Sequence, residues 1–350
     1  MSTERRRKKA LDVASSLSFE GLVATRAFNI YYLTGFWGAG IFLMKQDKAE
    51  LLVSKLEYDR AKASSDVEVL AYQPSELADL IASFFGSARV AIDRAEASLY
   101  SSIKQKVNVE TSDVLERARE VKFEDELDAI KGGGRIMDAV YERALESVRD
   151  GMRERELYAI IVKEIIENGG DVIAYEDTIG TEIVAFGENT SYPHYSPPSD
   201  RQLRAGDPIL LDLTLRFNGY VVDFTRTFFF RRVDERIRET YEKVKEAQEL
   251  GIRLLKNGAK AKEIDLAVRE FFGAERDLFN HSLGHGVGLE VHEKPYISYR
   301  SEDVISNDQA LTIEPGLYYA GKFGIRIEDT LIMKDTPVKI FRSPTELLIV

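Results

Sequence analysis

The dipeptide Asn218-Gly219 constrains the fold of this chain more than any other feature. It separates two runs of alternating apolar and polar residues, Pro208 to Phe217 and Tyr220 to Thr225. Asn-Gly is favoured there because both central residues of a tight hairpin turn need positive φ. With these two as the loop, Phe217 faces Tyr220, Thr214 faces Asp223 and Asp212 faces Thr225. Side chains alternate along a strand, so Asp212, Thr214, Asp223 and Thr225 share one face. Leu211, Leu213, Val222 and Phe224 form an apolar layer on the other. Asp212 and Asp223 then become diagonal neighbours, about 7 Å apart or less. Two carboxylates on such a face repel each other and resist desolvation unless the face lies in solvent or a cation intervenes. A pair of divalent metals, about 3.5–4 Å apart in hydrolytic sites, would supply that charge.

Around the hairpin the chain reads as two parts. Strand-like runs at Gly21–Ala24, Gly40–Met44, Glu50–Val53, Val67–Tyr72 and Ala88–Ile92 alternate with helical patterns such as Ser75–Phe85. This predicts a small α/β unit with a mixed sheet. The glycines between Gly35 and Gly40 have the spacing of neither a phosphate loop nor a dinucleotide fingerprint. A charged segment, Val114–Lys131, leads into the second part. Gly132-Gly133-Gly134 then interrupts a helical pattern, where each glycine costs about 1 kcal/mol against alanine; the helix must either bend or pack very closely there. Further on, Asp150–Leu157 resembles Asn257–Ile264, each lying between two helical patterns and followed by strands with histidine. The expected result is a domain of two similar halves with a site at their seam.

The chain has only four histidines, three of them in His281-Ser-Leu-Gly-His285-Gly-Val-Gly-Leu-Glu-Val-His292. Gly284, Gly286 and Gly288 argue against a helix and for a loop and strand brought close to a ligand. The fourth, His194, lies in a proline-rich loop. Glu314 ends a strand-like run at Ala310, and Gly324 to Ile332 reads as one strand with Arg326 and Glu328 on a common face. Two Asp, two Glu and a His make a hard, mostly oxygen-donor set that suits Mn²⁺, Co²⁺ or Zn²⁺.

Composition removes several alternatives. The absence of cysteine excludes disulfides, thiolate catalysis and cysteine-held zinc or iron–sulfur sites. A net charge of -11 gives no support for a nucleic-acid surface. No run of eighteen apolar residues points to a membrane span, and the basic N-terminus lacks the apolar core of a secretory signal, so a cytoplasmic location is expected.

These stretches resemble the pita-bread metallopeptidase family that includes prolidase (Xaa-Pro dipeptidase), aminopeptidase P and methionine aminopeptidase, with creatinase as a metal-free relative. The resemblance rests on NIYYLTG at 29–35, LLDLTLRFNGYVVDFTRT at 210–227, HSLGHGVGLEVHEKP at 281–295, LTIEPGLY at 311–318 and GIRIEDT at 324–330. It is strongest to the archaeal prolidases and covers essentially the whole chain. It implies a creatinase/prolidase-type N-terminal α/β domain with a six-stranded sheet over residues 1–122. Residues 123–350 would form an α+β pita-bread catalytic domain with internal pseudo-two-fold symmetry.

The same resemblance implies two divalent ions (Mn, Co or Zn) per subunit, held by Asp212, Asp223, His285, Glu314 and Glu328. A water bridging the ions would attack the scissile carbonyl of an Xaa-Pro dipeptide. His194, His292 and Glu314 carry the expected catalytic roles: Glu314 as general base, His292 at the carbonyl oxygen, His194 on substrate. His281, Arg326, Tyr195 and Thr225 are expected to touch substrate or orient the ligands. The partners implied are a small peptide and a second copy of the chain in a homodimer, with neither nucleic acid nor membrane. An aminopeptidase P-like release of the N-terminal residue from longer Xaa-Pro peptides is the alternative, and a non-catalytic metal- or peptide-binding protein a further one. Two positions depart from the family pattern: Tyr195 and Thr214 stand where glycine is usual.

Overall fold

The computed structural model describes residues 3–46, 48–173 and 182–350, and the chain divides into two compact units, Met1–Arg119 and Glu120–Val350. In the first unit, among the described residues, a six-stranded sheet is built from β1 (Gly21–Ala24), β2 (Ile41–Lys45), β3 (Lys48–Val53), β4 (Glu68–Ala71), β5 (Val90–Ile92) and β6 (Val109–Thr111), in the order β4-β3-β2-β1-β5-β6. The sheet is mixed: β1 pairs antiparallel with β2 and parallel with β5. The helices are α1 (Thr3–Ser16), α2 (Ala27–Thr34), α3 (Tyr58–Ser64), α4 (Leu77–Phe85) and α5 (Ala97–Lys104). Ile81, Phe84 and Phe85 of α4 bury against Val23, Leu43 and Val90 of the sheet, as the apolar spacing from Ser75 to Phe85 requires. The basic start of the chain forms α1, where Arg6 is buried and its guanidinium lies 5.4 Å from the Tyr32 ring centre.

A short helix, α6 (Val114–Glu120), precedes α7 (Glu124–Ser147), α8 (Glu154–Glu167) and β7 (Ile183–Phe186). The hairpin follows as β8 (Pro208–Phe217) and β9 (Tyr220–Phe229), then α9 (Glu235–Leu254) and α10 (Ala261–Phe272). The remaining strands are β10 (Gly284–Gly286), β11 (Glu293–Ile297), β12 (Ala310–Ile313), β13 (Gly316–Tyr319), β14 (Phe323–Arg326), β15 (Glu328–Met333) and β16 (Pro337–Lys339). Among the described residues, the main sheet runs β11-β10-β12-β15-β9-β8-β7, with β16 beside β15, and β13-β14 form a separate ribbon. The result is an α+β domain of pita-bread type built on a curled antiparallel sheet.

The hairpin has the register inferred from Asn-Gly. Phe217 pairs with Tyr220, Thr214 with Asp223 and Asp212 with Thr225. Asn218 and Gly219 both take positive φ, 49° and 87°. The two similar halves share their backbone bonds. Gly151 N donates to Leu203 O, Leu203 N to Met152 O and Glu154 N to Arg201 O. In the second half Gly258 N donates to Ile305 O, Ile305 N to Ala259 O and Ala261 N to Asp303 O. Each half thus ties the start of its second helix to an extended segment through an antiparallel bridge in the same way.

The glycine triplet lies inside α7, which is continuous from Glu124 to Ser147. The triplet therefore serves close packing. A Cβ on Gly132 would stand 2.5 Å from the Phe217 ring, and one on Gly133 2.9 Å from Val222. At Gly134 the obstacle is a backbone oxygen, Ile340 O, 2.8 Å from the Cβ position, which cannot swing aside like a side chain. Alanine there gains about 1 kcal/mol of helix propensity but overpacks at a cost of about 1–3 kcal/mol. Gly134→Ala is therefore expected to lower the unfolding free energy measured in urea by about 1 kcal/mol, despite being a helix-favouring change.

Candidate metal centre

The strands β10, β12, β15, β9 and β8 lie side by side, and each brings one acidic or imidazole group toward the same place. Asp212 comes from β8, Asp223 from β9, His285 from β10, Glu328 from the start of β15, and Glu314 from the residue just after β12. Asp223, His285 and Glu328 are buried and offer ligand atoms that all lie within 4.8 Å of one another. His285 Nε2 is 3.4 Å from Glu314 Oε1 and 3.8 Å from Asp223 Oδ2. His285 Nδ1 lies 3.1 Å from Gly286 O. A carbonyl only accepts, so Nδ1 carries the proton and the Nε2 lone pair faces the carboxylates, as a metal ligand requires. Burial holds the imidazole below its ordinary pKa and so neutral.

The glycines flanking His285 have a different purpose from the one expected. A Cβ at Gly284 would stand 2.0 Å from Thr312 O and one at Gly286 2.1 Å from Lys294 O. Neighbouring backbone, rather than a ligand, comes close here, and it holds His285 between two strands.

The segment from Gly324 to Ile332 is likewise two strands rather than one. It breaks at Ile327, where β14 leaves the ribbon with β13 and β15 enters the main sheet beside β9. Arg326 and Glu328 nevertheless meet at Thr225. Thr225 Oγ1 donates to Glu328 Oε2 at 2.7 Å and accepts from Arg326 Nε at 3.2 Å. Arg326 Nη2 also binds Asp212 Oδ2, and its Nη1 donates to Tyr318 Oη at 2.6 Å. Tyr318 Oη lies 2.9 Å from His281 Nε2, and His281 Nδ1 2.9 Å from Ser282 O. Since Tyr318 accepts from arginine, its own hydrogen goes to His281 Nε2. Tyr318 carries no sequence signal of its own: it lies in the LTIEPGLY stretch at 311–318, and no spacing marks it.

His194 and Tyr195 sit in the loop between β7 and β8. His194 is exposed, and a charge on it would disfavour protonation of His281 and His292. Tyr195 packs on Ile183, Ala185 and Leu210 and accepts a hydrogen bond from Asn189 Nδ2 at 2.9 Å. Ile183 and Ala185 pair with Asp212 and Leu210, so Tyr195 covers an apolar floor on the carboxylate-bearing face. His292 is exposed, with its ring centre 4.4 Å from that of His285. Thr214 is buried and its hydroxyl has no hydrogen-bond partner among the described residues.

The electrostatics ask for cations. Burial, then the charges of Glu328, Asp212 and Glu314, drive the Asp223 pKa well up, with Arg326 opposing. Glu328 is raised by burial and then by Glu314 and Asp212. Its Oε1 is buried without a hydrogen-bond partner among the described residues. An orphaned carboxylate oxygen among like charges, with a neutral imidazole nitrogen facing the neighbouring Glu314 and Asp223 carboxylates, fits divalent cations.

Burial pushes Glu314 up to about 8, and pushes His281 down from 6.5 to about 3. Between the ordinary carboxylate value and about 8, Glu314 binds a proton in the folded state but not in the unfolded one. Its contribution therefore grows as pH falls through 8. Below 6.5 the unfolded His281 takes up a proton that the folded one refuses, which opposes the trend. In the window from 8 to 6.5, metal-free protein is expected to gain stability as pH falls, with the raised Asp223 and Glu328 acting in the same direction, read by urea melts. Saturating Mn²⁺ should flatten or reverse the slope, because binding needs the carboxylates deprotonated.

Residues 128–335 match the model of metallopeptidase family M24, and residues 6–121 that of the creatinase/prolidase N-terminal domain. The Xaa-Pro dipeptidase of Pyrococcus furiosus is 32% identical over 99% of this chain and 100% of its own length. Among solved structures, the Xaa-Pro dipeptidase from Bacillus anthracis covers 100% of both chains at 27% identity with a TM-score of 0.90. The X-Pro aminopeptidase from Thermotoga maritima is also 27% identical, over 98% of this chain and 99% of its own, with a TM-score of 0.88.

Proposed function

This chain belongs to metallopeptidase family M24, with a creatinase/prolidase N-terminal domain, and from that membership we propose that it hydrolyses Xaa-Pro dipeptides with two divalent metal ions. The observation that carries the reading is the buried Asp223–His285–Glu328 cluster with an orphaned Glu328 oxygen inside it. Asp212, Asp223, His285, Glu314 and Glu328 would hold the two ions. When bound, the ions supply Lewis-acid polarisation of water and of the scissile carbonyl.

The protein's own groups do the rest. Glu314 takes a proton from the attacking water and delivers it to the proline nitrogen, which carries no hydrogen in the peptide and must gain one before it leaves. His292, exposed beside His285, donates to the carbonyl oxygen as negative charge develops on it. His194, on the loop facing the same groups, holds the substrate's carboxylate. Thr225 fixes one oxygen of Glu328, and Arg326 holds Asp212 on one side and Tyr318 on the other. Tyr195, over the apolar floor beside Asp212, limits the side chain that fits there. The proposed assembly is a homodimer, which multi-angle light scattering reads directly.

The decisive experiment measures proline release from Met-Pro beside N-terminal residue release from an Xaa-Pro-Yaa tripeptide. Stripped protein is assayed alone and with Mn²⁺, Co²⁺ or Zn²⁺ restored. Metal-dependent cleavage of the dipeptide only is the expected result. Cleavage of the tripeptide as well would make the enzyme aminopeptidase P-like, the alternative kept open by the Thermotoga likeness. Failure on both with metal bound would sink the Xaa-Pro reading.

A further inference from the structure

Behind the carboxylate-bearing face lies a second polar cluster, which the chemistry above does not use. Arg226 follows Thr225 on β9, so its side chain points to the opposite face of the sheet. It is buried, yet all five of its N–H donors are used. Nη1 donates to Thr225 O at 3.0 Å and to Glu328 O at 2.6 Å. Nη2 donates to Asp329 Oδ1 at 2.7 Å and to Ser343 O at 2.8 Å, and Nε to Pro344 O at 2.9 Å. Asp329 in turn accepts from Gln248 Nε2 of α9 at 2.9 Å and pairs with Lys339 Nζ of β16 at 2.7 Å.

The bonds to Thr225 and Glu328 matter most. The strands β9 and β15 pair through Glu328 with Thr225 and Asp329 with Phe224. Arg226 bridges the backbone carbonyls of that first pair, one of which belongs to the ligand-bearing residue Glu328 itself. It also ties this junction to the C-terminal segment. That segment continues alongside the end of β9, with Phe229 N donating to Leu348 O and Val350 N to Phe229 O. A buried guanidinium with every donor used has one geometry, so Arg226 itself fixes how the Thr225 and Glu328 carbonyls sit against each other at the junction that carries Glu328 and Asp223.

We propose that Arg226, with Asp329, is a positioning residue that clamps the C-terminal segment to the β9–β15 junction and thereby sets the spacing of Asp223 and Glu328 for metal. The inference rests on the metal reading above and adds a dependence on residues that touch neither metal nor substrate. A planar fork of five donors serves five partners here; lysine, with three donors on one point charge, can serve only some of them. Partial function is therefore expected of Arg226→Lys and less of Arg226→Gln.

The test measures Mn²⁺ affinity by calorimetry and the visible spectrum of the Co²⁺-loaded protein, which reports coordination geometry. Both are read well below each variant's melting temperature. Arg226→Gln is expected to weaken affinity by about 10–100-fold and to alter the cobalt spectrum, with Arg226→Lys between it and wild type. Tyr241→Phe is the control. It removes the hydroxyl bonds to Thr345 O and Glu346 O, loosening the same segment without touching the strand junction, and should leave affinity unchanged. Should Arg226→Gln fail to fold, Asp329→Asn keeps the side-chain shape, removes the partner charge and is expected to move affinity in the same direction. Wild-type affinity and spectrum in Arg226→Gln or Asp329→Asn would overturn the clamp. An equal loss in Tyr241→Phe would overturn it too, by showing that general loosening suffices. Wild-type protein that takes up no metal would overturn the metal reading, and the clamp with it.

Discussion

Asp223→Asn is expected to abolish tight metal binding and to reduce Xaa-Pro hydrolysis by more than about 100-fold, since changing groups one layer outside a metal's ligands already costs about 10–100-fold. The substitution keeps the shape of the side chain and removes its charge. Asp223 is only 6% exposed and sits among Glu328, Asp212 and Glu314. Its charge is therefore a cost to the metal-free fold and a benefit only when cations are present. Two effects of opposite sign follow. The variant should lose activity and metal, read by elemental analysis after dialysis. Without metal at pH 8 it should be more resistant to urea than the stripped wild type. A variant that loses activity and stability together would mean that Asp223 holds the fold rather than the ions.

His292→Ala is expected to lower kcat by about 10²–10³-fold while leaving metal content intact, the usual range for removing one donor to a developing oxyanion. His292 stands beside His285 but outside the cluster of ligand atoms, and its ring is exposed where those of the cluster are buried. Its loss opens no buried cavity, so the melting temperature should hardly move. A fall in bound metal equal to the fall in rate would make His292 a ligand instead.

Much of this arrangement could be read from residue order because it depends on local rules. Asn218-Gly219 admits few turn geometries, and the two-residue period of a strand then decides which face each Asp takes. The repeated Asp-Gly and Asn-Gly segments mark equivalent turns because each starts a helix pinned by the same backbone bonds. What stayed hidden depends on distant partners. The break at Ile327 arises because β14 and β15 pair with different strands, a choice that residue alternation cannot register. Tyr318 matters through Arg326 and His281, which come from separate elements. The glycine triplet left bending and close packing equally open until Phe217, Val222 and Ile340 were seen against α7. β6, three residues of which two are exposed, carries too little pattern to be read as a strand.

The most direct test of the central claim is anomalous diffraction from crystals of this protein grown with Mn²⁺. Two peaks are expected within the cluster of Asp212, Asp223, His285, Glu314 and Glu328. A single peak there, or none while the protein still releases proline from Met-Pro, would contradict a two-metal site.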